Sequence, residues 1–182
     1  IDRSRGLGDV YKRQLKFSQS KKLQISRLAH GTTVATNSLL QRKGGKLALV
    51  TTKGFRDLLE IGRQVRPSVY DLQVDSPQPL VDRRNRIEVN ERIDFTGKII
   101  KPINKNELVL LEKNIKKLKN IDGIAICLLF SFLNSSHEIL IKEKLSKSFP
   151  NLPISISSEV QPEFREYERF STTAINAYLP VS

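Results

Sequence analysis

His30, Gly31, Thr32 and Thr33 put an imidazole, a glycine and two hydroxyls side by side, straight after a short apolar run, Leu23 to Ala29. A neutral imidazole there can carry a proton or bond a polar group. The hydroxyls and the free N–H groups of a helix start can hold an anion. An ordinary capped turn explains the same four residues, with His30 as a capping side chain. Two further sets are polar enough to bind. Arg63, Gln64 and Arg66 follow a short apolar segment, and an arginine held next to Gly62 can grip a carboxylate or a phosphate. Glu159, Glu163, Arg165, Glu166 and Arg169 crowd the start of the last helical stretch. There, Arg165 with Glu168 and Glu166 with Arg169 have the spacing of helix-surface ion pairs.

The elements that must position these groups follow from periodicity. Leu23–Ala29 reads as a strand, Thr32 or Thr33 as the N-cap of a helix carrying Val34, Leu39 and Leu40, and Gly44-Gly45 as its stop. Leu47 to Thr52 is a second apolar strand. Residues 68–79 form a proline-containing loop, and Pro67 pushes Arg66 out of helical geometry. Arg86 to Asp94 alternates at period two, and Phe95-Thr96-Gly97-Lys98 turns it into a hairpin with Ile99 and Ile100. A helix capped by Asn104 or Asn106 then places Leu108, Leu111, Ile115 and Leu118 along one face. The run from Ile124 to Phe132 is expected to be one buried parallel strand. Ser135 and Glu138 have capping-box spacing at the head of the next helix, which turns Ile141, Leu145 and Phe149 inward. A strand over 152–157 and a helix from Glu163 to about Tyr178 complete an α/β fold, a mixed sheet flanked by helices.

Composition narrows the class. The chain has 182 residues, 38% of them hydrophobic and 27% charged, which suits one globular domain. No apolar run has the roughly 20 residues that a membrane-spanning helix needs, and no secretory core is present. The single cysteine, Cys127, lies in an apolar strand and reads as a structural thiol. The cytoplasm is the expected compartment. A net charge of +12 invites nucleic acid. However, the lysines are spread over amphipathic helices, with no interleaved aromatics, so a solvated surface explains the charge and no nucleic-acid partner is expected. A non-catalytic basic module that docks a partner subunit or nucleic acid is the competing class. No zinc-ligand spacing, nucleophile elbow or Gly-rich Lys-Ser/Thr phosphate loop occurs.

The block from His30-Gly31-Thr32-Thr33-Val34-Ala35-Thr36-Asn37 through Arg42-Lys43-Gly44, then Ala48-Leu49-Val50-Thr51-Thr52 and Gly54-Phe55-Arg56-Asp57 to Gly62-Arg63-Gln64, resembles the N-terminal region of the hydantoinase A / 5-oxoprolinase family. Matches continue at Ala125–Asn134 with His137-Glu138, and from Ser158-Glu159-Val160 to Tyr178-Leu179. The resemblance implies an ATP-dependent hydrolase that opens hydantoin or 5-oxoproline by phosphorylating it. ATP and Mg2+ would be the cofactors, with a second hydantoinase B-type subunit or a fused equivalent as partner. Acetone and acetophenone carboxylase subunits share the region, so ketone carboxylation is the near alternative. The implied architecture is actin-like, with ribonuclease-H-like halves. His30, Thr32 and Thr33 would be catalytic, and Gly31, Asn37, Arg63, Gln64, Arg66, Glu159 and Arg165 would bind substrate or nucleotide, with no metal ligand among them. Residues 1–14 look adapter-like, and the family's Asp-x-Gly-Gly-Thr-Phe-Thr-Asp motif is missing. The chain is therefore expected to be a fragment at both ends, inactive alone. Its family domain would span 15–182 and enter the next domain near 158–182.

Overall fold

Six consecutive apolar or β-branched residues, Leu47-Ala48-Leu49-Val50-Thr51-Thr52, form strand β1, and all six are buried. Such a strand needs cover on both faces, and the rest of the fold supplies it. The computed structural model describes residues 33–65, 70 and 78–179. The chain divides into two compact units, Ile1–Thr33 and Val34–Ser182, and the second contains every element below. These are α1 (Val34–Leu40), β1 (Leu47–Thr52), α2 (Leu58–Ile61), β2 (Arg86–Val89), β3 (Arg92–Ile93), β4 (Ile99–Lys101) and α3 (Lys105–Lys117). They continue as β5 (Gly123–Cys127), α4 (Ser136–Ser148), β6 (Ile154–Ile156), α5 (Ser157–Val160) and α6 (Glu166–Tyr178).

The main sheet has the order β2-β1-β5-β6, with every pairing parallel. The antiparallel pair β3–β4 stands apart as its own two-stranded sheet. The expected mixed sheet is thus corrected to a parallel sheet plus a separate hairpin. Side chains alternate across the sheet. Ala48, Val50, Ile124 and Ile126 meet Leu111 and Ile115 of α3 and Ile141 and Leu145 of α4. Leu47, Leu49, Ala125 and Cys127 meet Phe170, Ala174, Ala177 and Tyr178 of α6, with Leu39 of α1 and Leu58 and Leu59 of α2 at the margin.

Several local expectations hold. Asn104 Oδ1 accepts the Glu107 N–H at 2.8 Å and caps α3, and Phe95–Lys98 turns the hairpin. Others yield to tertiary contacts. The chain leaves α1 through Arg42 at φ 51 rather than through a left-handed Gly44. Gly44 is needed for space instead, because a Cβ there would overlap the Tyr178 ring. Gly44→Ala is therefore expected to lower stability by about 1–3 kcal/mol, the usual cost of overpacking, measured as a shift in the urea midpoint at unchanged slope.

The expected strand over 86–94 breaks between Val89 and Arg92, because Glu91 turns inward and is buried. The strand expected over 124–132 ends at Cys127 and gives way to a turn with Phe130 at φ 55. Ser135 makes no capping bond, and Glu138 points into the interior. Instead, Asn134 Oδ1 accepts the Ser136 N–H. Arg169 is wholly buried and forms no surface ion pair with Glu166.

Half-buried carboxylates are held by hydrogen bonds around this core. Hydrogen bonds from Lys116 and Lys144 pull Glu112 down to about 2. The Arg83 hydrogen bond lowers Asp57, and hydrogen bonds from Thr96 and Lys98 lower Asp94. Carboxyls that are more acidic when folded contribute stability above their unfolded values, near 4. That contribution is lost as pH falls through the folded values. The thermal midpoint is expected to hold from pH 7 to 5 and to fall steadily from about pH 4.5 to 2, as followed by circular dichroism.

Candidate active site at the carboxyl edge of the sheet

The chain runs from β1 to β2 on one side, while β5 lies on the other side of β1. The carboxyl ends of β1 and β5 therefore flank a topological switch point, where open parallel sheets bind ligands. The side chains gathered there are polar and buried. Thr52, the last residue of β1, donates its hydroxyl to Glu91 Oε1 and accepts the Leu129 N–H at 3.1 Å. His137 Nδ1 lies 2.7 Å from Glu91 Oε2, within hydrogen-bond distance. Glu138 Oε1 accepts the Leu128 N–H at 2.9 Å and the Ser157 hydroxyl at 2.6 Å, and Oε2 accepts the Ser158 N–H at 2.9 Å. Arg169 donates to the Leu128 carbonyl at 3.0 Å and to the Glu163 carbonyl at 2.6 Å. Its guanidinium lies 5.3 Å from the Phe132 ring centre and 5.6 Å from that of Phe170. Burial makes Arg169 less basic than an ordinary arginine, and its Nε has no partner.

The residues anticipated from sequence fall into separate places. His30, Gly31, Thr32 and Arg66 lie outside the described residues. Thr33 is exposed just ahead of α1, and Asn37 is exposed on α1. Arg63 and Gln64 leave α2 through Gly62 at φ 57, with Gln64 itself at φ 55. They line a cleft of about 410 Å3 with Leu59 to Val65 on one side and Tyr167 of α6 on the other. Arg63 Nε does hold a carboxylate, that of Glu168 at 2.7 Å, through a single contact. A bond from its own backbone N–H, with Arg63 and Arg165 nearby, makes Glu168 more acidic than usual. Arg165, which precedes α6, lies 5.6 Å from the Phe164 ring centre. Arg63, Gln64 and Arg165 are therefore grouped through Glu168 and Tyr167. Glu159 is not part of that group, because both its oxygens accept from Lys142 Nζ at 2.8 and 2.6 Å.

Sequence reasoning missed Thr52, Glu91, Glu138 and the burial of Arg169, and it named His137 only within the family match, without its partner. One signal was available. Glu91 falls on the inward phase set by Ile87, Val89 and Ile93, where an acid needs a buried partner.

Cys127 closes β5 beneath α6 and is fully buried. Burial, reinforced by Glu138, pushes its thiol well above the ordinary range, so no nucleophilic thiolate forms. Cys127 is expected to label with an aromatic disulfide reagent at least 1,000-fold more slowly than free cysteine in the native chain. Full labelling is expected in 6 M guanidinium (about that concentration suffices to unfold a stable domain).

Residues 2–149 match the model of the hydantoinase/oxoprolinase N-terminal region. The chain belongs to this family. The matched span takes in residues 2–14, expected from sequence to be adapter-like. This family member is 46% identical over 159 residues to an uncharacterized protein of Methanocaldococcus jannaschii, covering 86% of this chain and 23% of that one. It is 38% identical over 174 residues to 5-oxoprolinase 1 of Arabidopsis thaliana, covering 86% of this chain and 14% of that one. Its fold superposes on the crystal structure of the ATP-dependent caprolactamase from Pseudomonas jessenii with a TM-score of 0.78 at 27% identity, over 96% of this chain and 26% of that one. The hydantoinase/oxoprolinase region thus spans under a quarter of these two curated relatives. Among its described residues, no helix is long and apolar enough to cross a membrane, and no three His, Cys, Asp or Glu side chains converge as metal ligands.

Proposed function

We propose that this chain is the N-terminal part of an ATP-dependent enzyme that opens a cyclic amide, hydantoin or 5-oxoproline, by phosphorylating its carbonyl oxygen. The observation that carries the proposal is its likeness to the ATP-dependent caprolactamase, extending over 96% of the chain. The relation to 5-oxoprolinase 1 points the same way. Carboxylation of a ketone after the same activation is the alternative within the family. The basic composition also suits a non-catalytic docking module, which the family membership disfavours.

In this proposal His30 moves the proton, while Thr32 and Thr33 bond the reacting oxygen. Gly31 allows close approach of the backbone. Asn37, Arg63, Gln64, Arg66 and Arg165 bind substrate or nucleotide. Arg63 can do so by exchanging Glu168, a half-buried anion, for a phosphate. Glu159 can contribute only by leaving Lys142. ATP and Mg2+ enter together as substrate and are held chiefly by parts of the family architecture beyond this chain. That architecture is proposed to be actin-like with ribonuclease-H-like halves, cytoplasmic, and paired with a second subunit or its fused equivalent. The segment 1–14 is proposed to be non-native and 158–182 to lead into the next domain.

The chemistry makes one prediction that a simple ATPase does not. The amide oxygen accepts the γ-phosphoryl group of ATP, water attacks the activated carbon, and the ring C–N bond breaks with a proton delivered to nitrogen. This leaves an acyl phosphate, and a second water attacks its acyl carbon, so that the original carbonyl oxygen leaves in phosphate. With carbonyl-18O 5-oxoproline and the complete protein that carries this region, the label is expected in inorganic phosphate. Label retained only in the ring-opened carboxylate would contradict the proposal.

A further inference from the structure

The turn after β5 is held in a way that packing alone does not require. Leu128 has its N–H bonded by the Glu138 carboxylate at 2.9 Å and its C=O bonded by the Arg169 guanidinium at 3.0 Å. Both side chains are fully buried. Among the described residues neither charge forms a direct ion pair, so the backbone of a single residue, Leu128, stands between them. The next N–H, of Leu129, goes to Thr52 at the end of β1, and Thr52 is fixed in turn by Glu91 and His137. Three elements thus converge on two consecutive residues. The residue that follows, Phe130, has φ 55, a conformation that a bulky side chain adopts only when its surroundings enforce it. Burying two unpaired charges is costly. A reverse turn whose only task was to join β5 to α4 could be made with a glycine and no buried charge.

The place of the turn gives the arrangement its meaning. It forms the β5 rim of the switch point, beside the carboxyl end of β1 and the exposed Lys53-Gly54 that follows it. Its far end is tied down as well. Asn134 Nδ2 donates to the Gly97 carbonyl of the β3–β4 hairpin at 2.8 Å, and the Ser131 hydroxyl reaches Ser157 Oγ at 2.9 Å. Rims of this kind raise turnover when they hold reacting groups to within a fraction of an ångström.

We infer that Glu138 and Arg169 are positioning residues. Acting through the Leu128 backbone, one on its N–H and one on its carbonyl, they lock the turn 128–134 as the rim against which the substrate of the ring-opening reaction is held. The inference rests on the function proposed above for what the rim serves, but the locking itself can be read separately.

The test uses the complete enzyme with Glu138→Gln, Arg169→Met, Arg169→Lys and, as a control, Leu145→Ala. Leu145 is a buried core residue of α4 outside the network, so its loss destabilises without touching the turn. Amide hydrogen exchange of the 128–134 peptide reads the locking, whatever reaction the enzyme performs. Exchange at least tenfold faster in Glu138→Gln and Arg169→Met than in Leu145→Ala is expected, and equal rates in all three would overturn the inference. Steady-state kinetics with 5-oxoproline read the rim. The expectation is kcat at least tenfold lower in the same two variants at unchanged KM for ATP, with Arg169→Lys restored to within threefold of wild type. Activity per folded molecule equal to that of Leu145→Ala would overturn the assignment of Glu138 and Arg169 as positioning residues. Absence of ATP-dependent turnover in the wild type would instead refute the proposed function, leaving the exchange result to decide the locking.

Discussion

Glu138→Leu is expected to cost the 182-residue chain about 3–5 kcal/mol, the largest single-residue loss in the fold. The carboxylate satisfies the Leu128 N–H, the Ser158 N–H and the Ser157 hydroxyl, all at the closed end of the sheet. Leucine fills a similar volume but accepts nothing. Each buried donor left without a partner costs about 1–3 kcal/mol. Urea denaturation should show the loss as a lower midpoint at unchanged slope. A loss below about 1 kcal/mol would mean that the network is not formed in solution.

The second large effect concerns turnover. In the complete enzyme, His30→Ala is expected to lower kcat by about 10²–10⁴-fold, the usual contribution of a positioned proton carrier. His30 directly precedes Gly31-Thr32-Thr33, and the helix Val34–Leu40 begins one residue after Thr33. His30 and the two threonines thus lie just before that helix in sequence, and the proposed function has the imidazole exchange a proton with an oxygen bonded by the hydroxyls. Thermal stability should stay within a few degrees of wild type. A kcat within threefold of wild type would move the proton-transfer role to another residue.

Much of the fold was legible because its signals are local. The apolar run of β1, the hairpin turn at Phe95–Lys98 and the Asn104 cap need only neighbours in sequence. The family block from His30 to Gln64 was legible for the same reason, being contiguous. The buried network was not, since its partners are distant. Thr52 and Glu91 are 39 residues apart, and Glu91 and His137 are 46 apart. Glu138 illustrates the competition. Its spacing from Ser135 suits a capping box, yet three donors at the end of the sheet attract the carboxylate more strongly than one exposed N–H. Arg169 likewise had an eligible surface partner in Glu166, but two carbonyls and two aromatic rings hold it inside. The early end of β5 follows from these contacts, because the three side chains that bond Leu128 and Leu129 replace the ladder bonds of a longer strand.

The site expected from sequence was legible as a set of residue types and only partly as a place. Arg63 holds Glu168 with Arg165 nearby, and Gln64 shares a cleft with Arg63 and Tyr167, whereas Glu159 faces Lys142 on another part of the surface. Ion-pair partners of exposed side chains depend on which helices meet, and that is decided by the sheet order rather than by spacing along the chain.

The most direct test of the account is phosphate release from ATP by the complete protein, with and without a cyclic amide. Hydantoin and 5-oxoproline are the two to try first. The account predicts that one of them stimulates phosphate release at least tenfold and is ring-opened in equal amount, one amide bond per ATP. Stimulation by a ketone with bicarbonate, and by neither cyclic amide, would contradict it.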